Sequence, residues 1–261
     1  MDFATKILTA KLGYTHIFSV GQAGFIIKSA TGSLLGIDLY LSNAVERMEN
    51  DNGFKRLLPK LLSPDDLEFD AVICTHPHID HFDIDSAPYF LANGKTKMYC
   101  SVDCLKLVEN LNLSYYNKQI RYVSPGDKEK TNDLNITFTP CDHGESAPDA
   151  VGVMIETNGV VIYEAGDTAL RLDWKNRLPN SPDILIAPIN GKFGNMNAID
   201  AASLSEALKP KLTIPCHYGM FATHHGDFGD VHDFWQIMSQ KKLNFLIMQQ
   251  GECYTIRNKG E

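Results

Sequence analysis

The chain has 261 residues, with 44% hydrophobic and 21% charged, an ordinary globular balance that fits one large domain or two small ones. Its formal net charge of −8 argues against a general nucleic-acid or anionic-membrane binder. The six cysteines, Cys74, Cys100, Cys104, Cys141, Cys216 and Cys253, form no Cys-x-x-Cys pair, which argues against a zinc knuckle or a thioredoxin-like motif.

The start, Met1 to Lys6, shows no basic region followed by a long apolar core. No apolar run approaches a membrane span, so a cytoplasmic setting is expected. Residues 14–38 read as three strands, 16–20, 25–28 and 34–38, separated by glycine-bearing turns. Asp38 closes the third. A carboxylate there needs a partner, and two readings are open: a hydrogen bond to a metal-bound histidine, or a strand-end cap. Residues 39–67 break the strand pattern. A helix is predicted over 43–49, followed by a mixed basic and apolar stretch, 54–62, which Pro59 and Pro64 keep from forming one long helix. The composition fits a lid or an insertion. Lys55, Arg56 and Lys60 either face an anionic substrate or lie on a solvated face.

The stretch that carries the chemistry comes next. Ala71-Val72-Ile73-Cys74 reads as a short buried strand, and Thr75-His76-Pro77-His78-Ile79-Asp80-His81 follows it directly. Histidine is the commonest metal ligand, and three of them with an aspartate in six residues point to metal binding. At strand period His76 and His78 share a face, while Asp80 and His81 fall where a helix is expected to begin. Two histidines for one ion and an Asp–His pair for a second suit this spacing.

Beyond it, helices are predicted over 84–93 and from 102, the latter with Ser101 as N-cap, and a strand over 97–100. Strands follow at 119–123, 134–138, 151–156 and 160–163, with Asn158-Gly159 as a hairpin turn between the last two. Polar groups sit after two of these strands: Cys141-Asp142-His143-Gly144 and Gly166-Asp167-Thr168. A strand at 183–188, a helix at 200–208 and a strand at 212–215 lead into Cys216-His217-Tyr218. A helix near 231–238 and strands at 244–248 and 253–256 end the chain. Cys141 and Cys216 are either supports for the neighbouring histidines or buried thiols. His224 and His225 either donate to substrate or are exposed loop residues. His16 and His232 read as structural or exposed. The strands divide into two sets with helices after each, which predicts an α/β fold of two packed sheets with helices outside, in one domain.

This set of motifs resembles the metallo-β-lactamase superfamily: His-x-His-x-Asp-His, a lone His, a Gly-Asp-Thr and a late His, each at a strand end. Within it, Gly21-Gln22-Ala23-Gly24-Phe25, Ile37-Asp38-Leu39-Tyr40-Leu41-Ser42, Phe54-Lys55-Arg56-Leu57 and His217-Tyr218-Gly219-Met220-Phe221-Ala222 resemble the ascorbate-6-phosphate lactonase-like group. Leu39 stands where that group usually has proline. The resemblance implies an αββα sandwich and a homo-oligomer. It also implies that His76, His78 and His143 bind one metal, that Asp80, His81 and His217 bind the other, and that Asp167 bridges them. The all-nitrogen-and-oxygen donor set tolerates zinc, manganese or iron; the resemblance favours two manganese ions per chain, with zinc as the alternative. The expected reaction is hydrolysis of a small lactone or sugar-phosphate lactone, such as ascorbate 6-phosphate, by hydroxide activated between two cations. Asp80 and Asp167 are the expected catalytic carboxylates, and Lys55, Arg56, His224 and His225 the expected substrate contacts. The alternative is a phosphodiesterase acting on a small phosphodiester.

Overall fold

Strand period decides the layers. Along the first strands Ile17, Phe25, Ile27, Leu35, Ile37 and Ile73 turn to one face, and Phe18, Ile26, Val72 and Cys74 to the other, and both sets are buried. A sheet that is apolar on both faces has to be covered on both. The computed structural model, which describes residues 1–49, 53–222 and 230–256, meets that requirement with four layers.

The first half runs α1 (Phe3–Thr9), β1 (Thr15–Gly21), β2 (Gly24–Lys28), β3 (Leu34–Ile37), α2 (Ala44–Met48), β4 (Ala71–Cys74), α3 (Ala87–Ala92), β5 (Lys97–Ser101), α4 (Leu105–Asn110) and β6 (Ile120–Val123). The second runs β7 (Lys128–Thr131), β8 (Leu134–Pro140), β9 (Val151–Thr157), β10 (Val160–Glu164), β11 (Ile184–Pro188), α5 (Ala198–Leu208), β12 (Leu212–Cys216), α6 (Val231–Gln240) and β13 (Cys253–Ile256). Seven strands form one sheet in the order β13-β1-β2-β3-β4-β5-β6, and six form the other, β12-β11-β10-β9-β8-β7. β3 to β6 are parallel, as are β10 to β12.

The sheets share one core. Ile17, Ile27, Leu35 and Ile73 from the first meet Ile136, Val153, Ile162 and Ile186 from the second. Phe3, Ile7, Phe90, Leu91 and Val108 from the helices cover the outer face of the first sheet. Ala201, Leu204, Leu208, Phe234 and Met238 from α5 and α6 cover that of the second. This is the αββα arrangement expected from the sequence. No helix among the described residues is long and apolar enough to cross a membrane.

Several elements differ from the sequence expectation. α1 and β7 were not anticipated; β7, Lys-Glu-Lys-Thr, is an edge strand whose charges hide its period and discourage further pairing. Residues 244–248 form no strand and make only a single bridge, Phe245 to Thr213. The Thr213 N–H reaches the Asn244 carbonyl, but two residues on along β12 is Pro215, which has no N–H to continue the ladder. The helix expected over 84–93 is confined to α3, and Ser101 precedes a 3₁₀ turn without a side-chain cap.

A buried lysine ties α1 to the sheet. The Lys28 ammonium donates to the carbonyls of Ile7, Leu8 and Ala10 at 3.0, 2.7 and 3.0 Å, satisfying groups that a helix C-terminus leaves open. Lys28→Met keeps the aliphatic stem and removes those donors. A loss of about 1–3 kcal/mol is expected, read as a lower urea midpoint at unchanged m-value.

Candidate metal centre

Topology brings the polar strand ends together. Asp38 follows β3, residues 75–81 follow β4, His143 follows β8, Asp167 follows β10 and His217 follows β12. Within each sheet these strands run the same way, so their C-terminal ends meet at one edge of the sandwich. Two backbone bonds join the sheets there: the His217 N–H donates to the Gln22 carbonyl at 2.8 Å, and the Val151 N–H to the Thr75 carbonyl at 3.1 Å. Gly166 makes the turn that presents Asp167. Its φ is +71°, and a Cβ there would lie 3.0 Å from the Val151 carbonyl oxygen and 3.2 Å from Cys141 Sγ.

Two donor groups result. In the first, His76 Nε2 and His143 Nε2 lie 3.0 and 3.1 Å from His78 Nδ1. In the second, His217 Nε2 lies 3.4 Å from His81 Nε2 and 3.4 Å from Asp80 Oδ2. Asp167 Oδ2 adjoins the second group, 3.0 Å from His217 Nε2 and 3.3 Å from His81 Nε2. The charge of Asp167 also acts on His76 and His143 of the first. With bonds near 2.0–2.1 Å, the edge of a tetrahedral site is about 3.3–3.4 Å, so both spacings suit a shared cation. Three ring nitrogens aimed at one another cannot all be satisfied by their own protons, whereas a cation accepts all three lone pairs. The residues therefore fit divalent metal. Both groups lie on turns rather than on the strand face and helix start expected for them; His81 and Phe82 N–H both return to the His78 carbonyl.

Buried partners hold these candidate ligands. Asp38 accepts from the Thr75 N–H at 2.8 Å, the Thr75 hydroxyl at 2.6 Å and His81 Nδ1 at 2.7 Å. The Thr75 oxygen in turn lies 3.1 Å from His76 Nδ1, so Nε2 of both His76 and His81 is left to face a metal. Asp38 at the end of β3 thus bonds both a backbone N–H and His81, a candidate metal ligand. Gln22 Nε2 donates to Asp80 Oδ2 at 2.9 Å and lies 3.1 Å from His217 Nδ1. Asn195 Nδ2 donates to Asp167 Oδ2 at 2.7 Å. The sequence reading passed over both amides. Gln22 lies inside the Gly-Gln-Ala-Gly motif and could have been found there, whereas Asn195 carries no local signal. Cys141 Sγ donates to the Asp167 carbonyl, while Cys216 packs between the sheets; burial pushes both thiols well up, so neither offers a thiolate.

The two groups differ in protonation. Burial drives His76, His78 and His143 down, His143 to about 4, so all three are neutral at pH 7. Burial also opposes charge on His81 and His217, but the carboxylates of Asp167 and Asp80 outweigh it. They hold His81 well above its ordinary value and raise His217 to about 9. Burial pushes Asp80 and Asp167 up, and His81 and His217 more than reverse this, keeping both carboxyls well below their usual range. Glu164, also buried here, is pushed well up by its burial and by Asp38 and stays a neutral acid.

A cavity of about 460 Å³ opens over the centre, lined by His78, Asp80, His143, Asp167 and His217. Two of the expected substrate contacts, Arg56 and Lys55, lie away from the cavity lining. The Arg56 guanidinium lies over the Tyr40 ring and donates to the carbonyls of Leu58 and Ser42, both at 2.8 Å. Lys55 is exposed, and neither residue lines the cavity. The 39–67 segment is fastened at residues 55–57, whose backbone pairs with residues 220–222. Asp83 holds its start by accepting from the Leu41 and Ser42 N–H groups. His224 and His225 lie outside the described residues. His16 is buried and structural, bonded to Thr255 and the Lys11 carbonyl.

A family profile described as the Beta-lactamase superfamily domain matches residues 41–218. A UPF0173 metal-dependent hydrolase of Saccharolobus solfataricus is 29% identical over 203 residues, covering 75% of this chain and 86% of that protein. One from Polaromonas sp. is 30% identical over 226 residues, covering 79% and 78%. Igni18, a metallo hydrolase of the archaeon Ignicoccus hospitalis, has the same fold, with a TM-score of 0.71 at 22% identity over 94% of this chain and 100% of that one. The chain belongs to the metallo-β-lactamase superfamily, among its metal-dependent hydrolases.

The protonation difference has a measurable sign. A metal entering the second group would displace protons from His81 and His217, so its affinity rises with pH through neutrality, the contribution of His217 levelling off above about 9. At the three-histidine group affinity is level above neutral pH and is lost on the acid side, His143 protonating at about 4. Calorimetric titration in buffers of different ionisation heat checks this; no proton release at pH 7 would contradict it. For the support beneath, Asp38→Ala is expected to weaken metal affinity by about 10–100-fold, measured by chelator competition.

Proposed function

We propose that the chain is a two-metal hydrolase of a small lactone or related ester. The observation that carries this reading is the pair of adjacent donor groups on one wall of a small-molecule-sized cavity. His76, His78 and His143 would hold one ion, Asp80, His81 and His217 the other, and Asp167 both. Manganese is proposed first and zinc second, since the histidines and carboxylates accept either and the nearby thiols stay protonated. Bound divalent ions supply a water acidified to a pKa of roughly 7 and Lewis acidity toward a carbonyl oxygen.

The chain's own groups do the rest. Asp80 and Asp167 are poor proton stores, because His81 and His217 keep them ionised well below neutral pH; their negative charge serves to hold cations. Gln22 and Asn195 fix the orientation of those carboxylates through single N–H donations. Ascorbate 6-phosphate belongs to the proposed class, but the arginine expected to clamp its phosphate is committed to backbone carbonyls.

Metal-loaded protein, prepared separately with manganese and zinc, tests the reading on a plain lactone, ascorbate 6-phosphate and bis-p-nitrophenyl phosphate. Turnover of the plain lactone is expected; turnover of the phosphodiester alone would overturn it. Asp167→Ala should lower turnover by about 10²–10³-fold or more and weaken metal binding. Arg56→Ala should destabilise the fold by about 1–3 kcal/mol and leave KM for the lactone unchanged.

A further inference from the structure

We propose that this pocket takes an uncharged ester or lactone bearing an apolar group, with Phe193 and Phe54 as its specificity-determining wall. The inference rests on the hydrolase reading above and names its substrate class. Apart from the metal-facing residues, the cavity is lined by Val45, Phe54, Pro77, Ile79, Leu107 and Phe193, with Glu49 as the remaining polar group. These come from α2, the segment after it, the metal loop, α4 and the loop before α5, so the apolar character is not an accident of one element.

Charge points the same way. Among the described residues no lysine or arginine lines the cavity. A phosphate would enter with Glu49 beside it and, among the described residues, no lining side-chain cation to pair with. An apolar group gains on entry by leaving water.

Phe193 adds a second, independent observation. It is 48% exposed, and its φ is +55°, a conformation that is a true outlier for a bulky side chain. Both features are unfavourable for the free protein, and such strain persists where the surroundings impose it at a functional site. The same loop carries Asn195, which binds Asp167, so the aromatic wall and the metal centre are positioned together.

The experiment uses two readouts on metal-loaded protein. The first is calorimetric binding of straight-chain carboxylates from acetate to hexanoate, as product probes. The second is hydrolysis of the matching p-nitrophenyl esters beside ascorbate 6-phosphate. Affinity and kcat/KM are expected to rise about fourfold per added methylene until the wall is covered. Phe193→Ala should cut the hexanoate-to-acetate ratio by about tenfold, and Phe193→Leu should restore part of it. Phe193→Lys should shift preference toward the phosphorylated lactone. Phe193 is exposed, so these variants fold even if Phe54→Ala, which removes an edge contact with Phe221, does not. A flat chain-length response with esters still hydrolysed overturns the apolar wall and leaves the hydrolase reading standing. Preference for ascorbate 6-phosphate also overturns it. A rising response in binding without hydrolysis of any ester supports the wall and refutes the reaction instead.

Discussion

The carboxylate of Asp38 is the contact on which the centre depends. It sits between the end of β3 and the turn after β4, fully enclosed, and accepts three hydrogen bonds from two residues of that turn. One of them fixes the His81 ring directly. Another fixes the Thr75 hydroxyl, whose oxygen then orients His76, so one side chain aligns a candidate ligand in each donor group. A buried charge without partners is costly, and here each partner is itself part of the metal loop. Ligand geometry and local folding are thus the same set of bonds.

The centre also joins the two sheets. The first sheet supplies the loop from His76 to His81, and the second supplies His143, Asp167 and His217. The shared apolar core holds the sheets together along their length, while the Gln22–His217 and Thr75–Val151 backbone bonds set their spacing at the open edge. Without metal, the imidazolium charges of His81 and His217 offset the carboxylates around them. Bound cations would take over that role, which would link folding, protonation and loading in this part of the molecule.

Much of this was legible in the sequence because each clue was local. The Ala-Val-Ile-Cys run followed by a histidine cluster identified both a buried strand and its chemistry. The Asn158-Gly159 turn and alternating apolar residues placed the strands on either side. Where the outcome depended on distant partners, sequence reasoning fell short. Arg56 looks like a free cation in a basic stretch, but carbonyls of Ser42 and Leu58 surround it once the chain folds. Residues 244–248 have a strand's composition, and the missing N–H of Pro215, some thirty positions earlier, stops the ladder. Asn195 gives no hint of its contact with Asp167, because that contact exists only between two loops.

Gln22, Asp38, Phe193 and His217 all adopt positive φ although none is glycine. Each supplies a side chain that the centre or its pocket uses, on a backbone that would relax with glycine. At half-exposed Phe193 stability and the proposed function therefore pull in opposite directions, whereas the buried hydrogen bonds of Asp38 serve both. A library screened for heat resistance alone would tend to drift at Phe193 toward small, permissive residues, and would gain robustness by thinning the pocket wall. Stabilisation is better sought in the outer helices, where packing can improve without touching the strand ends.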